Sequence, residues 1–531
     1  MSNQISIYEA WSDLLGSDNV IREQSLLETA QTATFITHEQ IPLIVRPGTV
    51  DEVQKCLKLA NKLKVPIYPI SSGKNWGYGS RVPTQDGCVL LDLSRLNQIL
   101  DYNETLAYVT IEPGVTQRQL YEFLQAENSS LWMDATGSSP DTSIIGNTME
   151  RGFGHTPYGD RFAHVCGLEV ILPNGDCIHT GFGQYNNSQS ASIYRWGVGP
   201  YLDGLFSQSN LGIITKMTMW LMPKPEYFQA FYFSSKKPEQ LPHLIDGLRP
   251  LRLNDTIKSA VHLANDYKVI SSIRQYPWEE SEGVTPLPAK VMTHFAKTWD
   301  FGAWNGSGGL YGTKAQVAEA RRLIKEALRG KVARLRFVDD CTLQLAQTFA
   351  KPYQTLTGLN LAELLKLMKP VYGLMQGIPT ATQLASTYWR KKKTPPTEID
   401  PDHDQCGLIW FAPVAPLEGK HASIINDIAT QTLISHGFEP LISMTLLTGR
   451  CLSCIIAIAY DREVEGEDQK AMACYESLVD KILNQGYHPY RLGIQSMEIL
   501  SQGETNYQNL LTQLKTALDP NHILAPRNYI P

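Results

Sequence analysis

Four segments rich in glycine and polar residues, each beside an apolar stretch, constrain the fold of this 531-residue chain more than any other feature. They cover residues 71–79, 112–116, 146–160 and 204–216. Glycine allows backbone N–H groups to converge on an anion without obstruction by side chains. One such segment alone predicts only a turn, and residues 71–79 have neither the P-loop nor the Rossmann spacing. Together, the four segments predict a fold that binds an extended ligand containing a pyrophosphate.

The pattern of helices and strands predicts an α+β protein with two domains. A chain of 531 residues exceeds what one hydrophobic core usually supports. Helix and strand signals alternate as far as Pro223-Lys224-Pro225, and the later helices return to one face of an antiparallel sheet, as in an α/β plait. We expect the domain that binds the extended ligand at 1–222 and a second domain, which covers the substrate, at 223–497. A C-terminal segment at 498–531 should rejoin the first domain.

Several local patterns make separate predictions. Residues 303–338 predict a strand, a helix and a strand, and Asn174-Gly175 predicts the turn of a hairpin. Cys451 and Cys454 open an apolar run, which predicts a buried strand rather than a zinc or redox site. The basic run Arg390–Lys393 precedes Thr-Pro-Pro, so we expect a solvated loop there rather than a phosphate-binding patch.

Composition excludes several classes of function. The net charge of −6 gives no general attraction to nucleic acid, and no stretch approaches 18 uncharged apolar residues, so no membrane span is expected. The first 16 residues lack the basic start and apolar core of a secretory signal. Nine cysteines without a framework indicate reduced thiols. We therefore expect a cytoplasmic protein without a metal site.

Five longer motifs follow one another along the chain: residues 146–152 (GNTMERG), 156–160 (TPYGD), 204–213 (GLFSQSNLGI), 486–491 (GYHPYR) and 519–526 (DPNHILAP). In this order they resemble the vanillyl-alcohol oxidase and p-cresol methylhydroxylase family of flavoproteins, although little resemblance is found between about residues 230 and 400. The resemblance implies an FAD-binding domain of the methylhydroxylase type, covered by a substrate (cap) domain with an antiparallel sheet.

The resemblance also implies which residues hold FAD. Residues 71–78 match the loop that binds the pyrophosphate, and scattered positions in the other motifs match residues that line the cofactor. The implied set is Ser71, Ser72, Gly73, Lys74, Asn75, Trp76, Gly77, Tyr78, Pro113, Gly114, Gly146, Asn147, Gly152, Gly212 and Ile214.

Three further positions match the family's phenolate-binding group: Tyr78, Tyr490 and Arg491. An ionised phenol loses a hydride from its para-benzylic carbon more readily than a neutral phenol. Ionisation near neutral pH requires positive charge and strong hydrogen-bond donors, which one arginine and two phenolic hydroxyls supply. The hydride would pass to flavin N5, leaving a p-quinone methide to which water adds or from which a proton leaves.

The sequence departs from the family pattern at several positions. His155 replaces a tyrosine beside the flavin, and with an ordinary pKa near 6.5 it would suit acid–base catalysis. Gly137 or Ser138 stands where the family often has an aspartate near N5, while Asp141 is displaced. Leu408 occupies the position of the histidine that bonds covalently to FAD in the oxidases.

Because Leu408 has no nucleophile, we expect FAD to be bound non-covalently. Tyr388 and His403 remain candidates for a covalent link. These departures from the oxidase branch also favour a dehydrogenase that passes electrons to a cytochrome or another carrier. The resemblance further implies a homodimer or larger assembly.

Three functions compete. The first is oxidation of a 4-alkylphenol or 4-hydroxybenzyl alcohol, a small phenolic substrate. The second is oxidation of a non-phenolic hydroxy compound by a flavin oxidase or dehydrogenase of the wider superfamily. The third is a flavin-binding or electron-transfer subunit without a substrate of its own. The presence of Tyr78, Tyr490 and Arg491 together favours the first.

Overall fold

The computed structural model describes residues 7–348 and 361–530. Residues 1–6, which belong to the segment considered above for a secretory signal, lie outside that range. Helices and mostly antiparallel sheets make up the described chain, which confirms the predicted α+β class. Each of its three larger sheets is formed by strands from one continuous region of the sequence.

The first sheet combines parallel and antiparallel strands in the order β1-β2-β4-β3. The pairs β2/β4 and β3/β4 are parallel, and the apolar face of a connecting helix packs on them. The third helix begins where the Thr49 side chain accepts a hydrogen bond from the backbone N–H of Glu52. The elements are α1 (Ile7–Leu15), β1 (Val20–Ile21), α2 (Gln24–Ala30), β2 (Ile44–Val45), α3 (Val50–Leu63), β3 (Ile67–Ile70) and β4 (Val89–Asp92).

The second sheet is antiparallel and has the order β5-β6-β10-β8-β9. Asn174 and Gly175 form the predicted hairpin turn between β8 and β9, where Gly175 adopts a φ of 85°. The short strands β7 and β11 pair with each other. The elements are β5 (Ile99–Asn103), β6 (Tyr108–Ile111), α4 (Gln117–Ala126), β7 (Leu131–Trp132), α5 (Ile144–Met149), β8 (Val165–Ile171), β9 (Cys177–His179), β10 (Ile213–Trp220) and β11 (Met222–Pro223).

The third sheet has eight antiparallel strands in the order β15-β12-β14-β13-β18-β19-β16, with β17 also paired to β19. The strand, helix and strand predicted within 303–338 are confirmed, and Cys451 and Cys454 lie in one strand as expected. The strands are β12 (Tyr227–Ser235), β13 (Val261–Asn265), β14 (Trp304–Gly312), β15 (Arg334–Val338), β16 (Cys406–Phe411), β17 (Val414–Pro416), β18 (Leu441–Leu446) and β19 (Cys451–Asp461).

Helices cover this third sheet and fill the connections between its strands. The largest apolar core lies between the sheet and helices that include Leu244, Ile324, Ile425 and Leu478. The helices are α6 (Leu241–Leu253), α7 (Asp266–Ile273), α8 (Ala289–Thr298), α9 (Lys314–Ala327), α10 (Asp340–Thr348), α11 (Leu361–Leu374), α12 (Gly419–Ser435), α13 (Glu467–Leu483) and α14 (Thr505–Leu518).

The C-terminal tail packs against the first two sheets. Ile523 and Leu524 belong to the core of the first sheet, and Ile530 to that of the second. The backbone N–H of Ile67 donates to the carbonyl of Ile523 over 2.7 Å, and Ala525 N–H donates to the carbonyl of Ile67. The exact domain boundaries at 222 and 497 remain predictions.

Arg390 and Lys391 contradict the expectation of a solvated loop over the basic run Arg390–Lys393, whereas Lys392 and Lys393 are exposed as expected. Arg390 is buried, and its Nε lies 2.7 Å from Glu439 Oε2. Lys391 is buried as well, 2.7 Å from Asp461 Oδ1. The prediction was wrong because the acidic partners are 49 and 70 positions away in sequence, beyond the reach of a local charge pattern.

No helix within residues 7–348 and 361–530 has both the length and the apolar character needed to cross a membrane.

We expect Asp519→Asn to destabilise the fold. Lys515 Nζ lies 2.7 Å from Asp519 Oδ2, both side chains are fully buried, and Lys515 also donates to the carbonyl of Leu524. Removing the carboxylate charge leaves the ammonium uncompensated, which costs about 3–5 kcal/mol for a buried pair. Urea unfolding followed by tryptophan fluorescence measures the change.

The control is Asp51→Asn, which removes an exposed ion pair to Lys55 and should shift the urea midpoint little. Equal midpoints for Asp519→Asn and the parent would show that the buried pair does not hold the tail in place.

Candidate active site

The glycine-rich loop at residues 71–79 follows β3 and turns sharply. Gly73, Gly77 and Gly79 have φ values of 67°, 77° and 118°, which residues with side chains rarely adopt. A Cβ atom at Gly77 would overlap Trp410 Cδ1 of the third sheet. This close approach explains the glycine at position 77 and brings the loop against the substrate-domain sheet.

Three of the predicted cofactor-binding segments meet at one junction. The backbone N–H of Ser143 donates to Ser72 Oγ over 3.0 Å, and Ser143 Oγ donates to the carbonyl of Pro113 over 2.6 Å. Ser71 Oγ occupies the space that a Cβ atom at Gly146 would need. Small residues and backbone groups therefore line this junction, as a backbone cradle for a pyrophosphate requires.

A buried ion pair supports the TPYGD loop beside this junction. Asp134 Oδ2 lies 2.8 Å from Arg161 Nε, and both side chains are almost fully buried. Asp134 also accepts hydrogen bonds from the backbone N–H and hydroxyl of Thr156. Arg161 donates to Asn147 Oδ1 over 3.0 Å, next to Gly152. The sequence analysis missed both charges, because nothing local pairs residues 27 positions apart.

The remaining predicted FAD residues lie in or next to strands of the second sheet. Gly114 N–H donates to the carbonyl of Leu96 over 2.6 Å. Gly212 packs closely against Val170 at the start of β10, which also contains Ile214. Contact of Gly114, Gly212 and Ile214 with the cofactor stays a prediction.

The structure brings Tyr78, Tyr490 and Arg491 together, although more than 400 positions separate the first from the other two. The Arg491 guanidinium carbon lies 4.4 Å from the centre of the Tyr78 ring, and the Tyr490 side chain adjoins both residues. The backbone N–H of Ile494 donates to the carbonyl of Tyr78 over 3.0 Å, which fixes the two segments. We call these three residues the phenolate clamp.

Two residues that the sequence analysis missed hold Arg491 in place. Glu150 Oε2 lies 3.4 Å from Arg491 Nε, and the Tyr529 hydroxyl donates to the same carboxylate oxygen. Arg491 also donates to Asn75 Oδ1 in the glycine-rich loop. Glu150 lies inside the GNTMERG motif, so a lone acid in a glycine-rich segment was the available signal.

The electrostatics of the clamp suit an oxyanion. Burial by itself lowers the pKa of Arg491, but Glu150 and the two tyrosines outweigh it, so its pKa is raised and the charge is permanent. Burial raises the pKa of Tyr78 well above its ordinary value and also raises the pKa of Tyr490, although Arg491 opposes both shifts. Both hydroxyls therefore stay neutral and available as hydrogen-bond donors.

His155 is buried and stacks on a second histidine, His262, with ring centres 4.3 Å apart. Burial, and then the nearby Arg161, lowers the pKa of His155 to about 4, so the expected ordinary pKa near 6.5 was wrong. His262 Nδ1 contacts Thr445 Oγ1 at 3.1 Å. His155 Nδ1 and His262 Nε2 have no hydrogen-bond partner within the described chain. The sequence analysis missed His262, an isolated histidine in a strand.

The loop that contains Gly137, where the family often has an aspartate, is contacted by a side chain from between α11 and β16. Asp141 Oδ1 lies 2.7 Å from Arg118 Nε, and its side chain is half-exposed. The side chain of Gln383 fills the space directly above Gly137. An amide of the substrate domain thus approaches this loop.

The positions considered for covalent attachment are not arranged as nucleophiles. Leu408 is buried, and its backbone N–H donates to the carbonyl of Thr34 over 2.8 Å. Tyr388 is buried and donates its hydroxyl to Asp404; burial and then this hydrogen bond raise its pKa. The side chain of His403 is 77% exposed.

The residues present fit FAD. Gly146 and Gly152 lie where a Cβ atom would meet the side chains of Ser71 and Asn147, so only glycine fits at these two positions. The junction of Ser72, Ser143 and Pro113 is likewise lined by small and backbone groups, as a pyrophosphate site requires.

The chain is similar to known flavin-binding proteins over most of its length. A family model for the FAD binding domain matches residues 41–181. The chain is 46% identical to 1'-carboxy-chondrochloren decarboxylase of Chondromyces crocatus, covering 98% of this chain and 96% of that protein. It is 32% identical to the 4-cresol dehydrogenase (hydroxylating) flavoprotein subunit of Pseudomonas putida, covering 97% and 93%.

A solved structure is similar over the same length. The crystal structure of p-cresol methylhydroxylase with substrate bound matches with a TM-score of 0.88 and 31% identity, covering 98% of this chain and 96% of the other. These similarities confirm FAD as the cofactor and the two-domain flavoprotein fold.

We expect acid precipitation of the purified protein to release FAD into the supernatant. Leu408 has no nucleophile, the Tyr388 hydroxyl is engaged by Asp404, and His403 points into solvent. Absorbance of the two fractions at the flavin maximum measures the release. Yellow colour retained in the pellet after washing would contradict non-covalent binding.

Proposed function

Because the chain belongs to the p-cresol methylhydroxylase family of FAD-dependent oxidoreductases, we propose that it oxidises a para-substituted phenol at the benzylic carbon. The substrate would be a 4-alkylphenol or a 4-hydroxybenzyl alcohol. The observation that carries the proposal is the assembled phenolate clamp of Tyr78, Tyr490 and Arg491. A subunit without its own substrate would have no use for a permanent buried cation beside two neutral phenolic donors.

The clamp binds the phenol and keeps it ionised. Arg491 contributes a full positive charge, and its planar group rests on the Tyr78 ring while its N–H groups reach the phenolate oxygen. Tyr78 and Tyr490 donate hydrogen bonds to the same oxygen. FAD, when bound, supplies the acceptor for the hydride that leaves the benzylic carbon. The enclosed position of the clamp excludes water, which strengthens each of these interactions.

His155 and His262 would contact the substrate as neutral hydrogen-bonding groups. With a pKa of about 4, His155 is a neutral imidazole across the neutral pH range. A base this weak holds a proton poorly at neutral pH, so the lowered pKa argues against His155 as the acid–base catalyst. Its neutral ring can still donate one hydrogen bond and accept another.

A second candidate outcome is oxidative decarboxylation, favoured by the 46% identity to a protein named a decarboxylase. If the carbon next to the benzylic carbon carries a carboxylate, loss of the hydride leaves a quinone methide with that carboxylate attached. The carbon–carboxylate bond then breaks, CO₂ leaves, and the electron pair forms a vinyl double bond while the ring becomes a phenolate again.

The electron acceptor proposed for the reduced cofactor is a separate carrier such as a cytochrome. The Pseudomonas putida relative is named a flavoprotein subunit, which supports this proposal. A homodimer or larger assembly, a cytoplasmic location and action on a non-phenolic hydroxy compound also remain proposals, the last as the alternative to a phenol.

We expect Arg491→Met to retain FAD but to be reduced at least tenfold more slowly by 4-alkylphenols. Loss of a charge-assisted hydrogen bond in an enclosed site costs roughly 1.5–3 kcal/mol, and about 1.4 kcal/mol corresponds to tenfold. Anaerobic stopped-flow absorbance measures the reductive rate. The control, Arg322→Met, removes an exposed arginine and should reduce at the parent rate. Equal rates for Arg491→Met and the parent would reject a phenolic substrate.

Anaerobic reaction with 3-(4-hydroxyphenyl)propanoate separates the two outcomes. Oxidative decarboxylation releases one CO₂ and one 4-vinylphenol for each FAD reduced, because both arise from the same quinone methide. Product chromatography and CO₂ detection measure them. A product that keeps its carboxylate, whether hydroxylated or unsaturated, would contradict decarboxylation and leave hydroxylation or desaturation as the reaction.

A further inference from the structure

One enclosed lysine has no charged partner. Lys268, in the first turn of α7, donates from Nζ to Ser386 Oγ over 2.8 Å. Its ammonium lies 5.8 Å from the centre of the Trp410 ring. Within residues 7–348 and 361–530, no carboxylate lies within ion-pair distance of it. Asp266, two residues earlier, instead accepts from the backbone N–H of Tyr267.

Two other enclosed lysines have the carboxylate partner that Lys268 lacks. Lys391 pairs with Asp461, and Lys515 pairs with Asp519, each at 2.7 Å. An ammonium removed from water without a counter-charge is costly, so such a group usually has a partner. Burial lowers the pKa of Lys268 to about 8, with no charge to offset it. The residue as a whole is nevertheless partly accessible.

The Trp410 ring lies close to both Lys268 and the phenolate clamp. Its centre is 5.8 Å from the Lys268 ammonium and 6.5 Å from the centre of the Tyr78 ring, and Trp410 packs on Gly77. Lys268 also contacts Ser386, whose hydroxyl donates to the carbonyl of Gln383. Gln383 in turn covers Gly137, in the loop that the family resemblance places near the flavin. Two chains of contacts therefore connect Lys268 with the residues assigned to the phenol and flavin sites.

We propose that Lys268 binds the carboxylate of a para-substituted phenol whose phenolate oxygen is held by Tyr78, Tyr490 and Arg491. This inference rests on the proposed phenol site and assigns its substrate class, a phenol with an anionic side chain. A single ammonium with one hydroxyl neighbour balances a monoanion, whereas a phosphate would require more donors and charge. The aromatic ring and alkyl chain of the substrate would lie along Trp410 between the two ends.

A matched ligand pair tests the charge without turnover. 4-Hydroxycinnamate and 4-hydroxycinnamamide have the same shape and differ in charge, and neither has a saturated benzylic carbon to oxidise. Calorimetric titration of the FAD-loaded protein measures both dissociation constants. We expect the parent to prefer the acid and Lys268→Met to lower the acid-to-amide affinity ratio at least tenfold. Lys268→Arg should restore most of the preference, and flavin absorbance checks the FAD content of each variant.

The control is Lys420→Met, an exposed lysine of the same domain that should leave both affinities unchanged. Equal losses for acid and amide in Lys268→Met, or no loss for either, would overturn the inference, because Lys268 would then hold the pocket or the cofactor rather than a carboxylate. Failure of the proposed function looks different. In that case both ligands would bind in an Arg491-independent manner, or 4-alkylphenols would not reduce the flavin, whatever the acid-to-amide ratio.

Discussion

The buried positive charge of Arg491 is the constraint on which the rest of the site depends. A guanidinium removed from water requires counter-charge and hydrogen-bond acceptors, which Glu150, Asn75 and the face of Tyr78 supply. These partners come from the glycine-rich loop and the GNTMERG segment, and Tyr529 of the tail completes the group through Glu150. The site therefore forms only when three distant parts of the chain are packed together.

The same rule governs the other enclosed charges. Asp134 with Arg161, Arg390 with Glu439, and Lys515 with Asp519 are each paired at short distance. Each pair joins segments that the sheets alone would leave separate or fixes a local turn. Lys268 differs because its neighbours are a hydroxyl and an indole ring. This unbalanced charge is the observation on which the proposed carboxylate site rests.

Much of the fold could be predicted because its signals are local. The hairpin turn at Asn174-Gly175 and the strand containing Cys454 each depend on residues a few positions apart. The basic run at Arg390 was misjudged for the opposite reason, since its acidic partners lie on strands and turns far along the chain. The pKa of His155 was misjudged because it depends on burial that no sequence pattern reports.

The sequence by itself determined the fold class, the family, the cofactor and the residue types of the clamp, because motif order and glycine spacing reflect what backbone and cofactor require. Only the tertiary structure decided which charges face one another. It placed Glu150 against Arg491, His262 against His155, and Lys268 beside Trp410 without a counter-ion. The physical reason is that electrostatic energies depend on distance and burial in space. Positions hundreds of residues apart acquire both only when the chain folds.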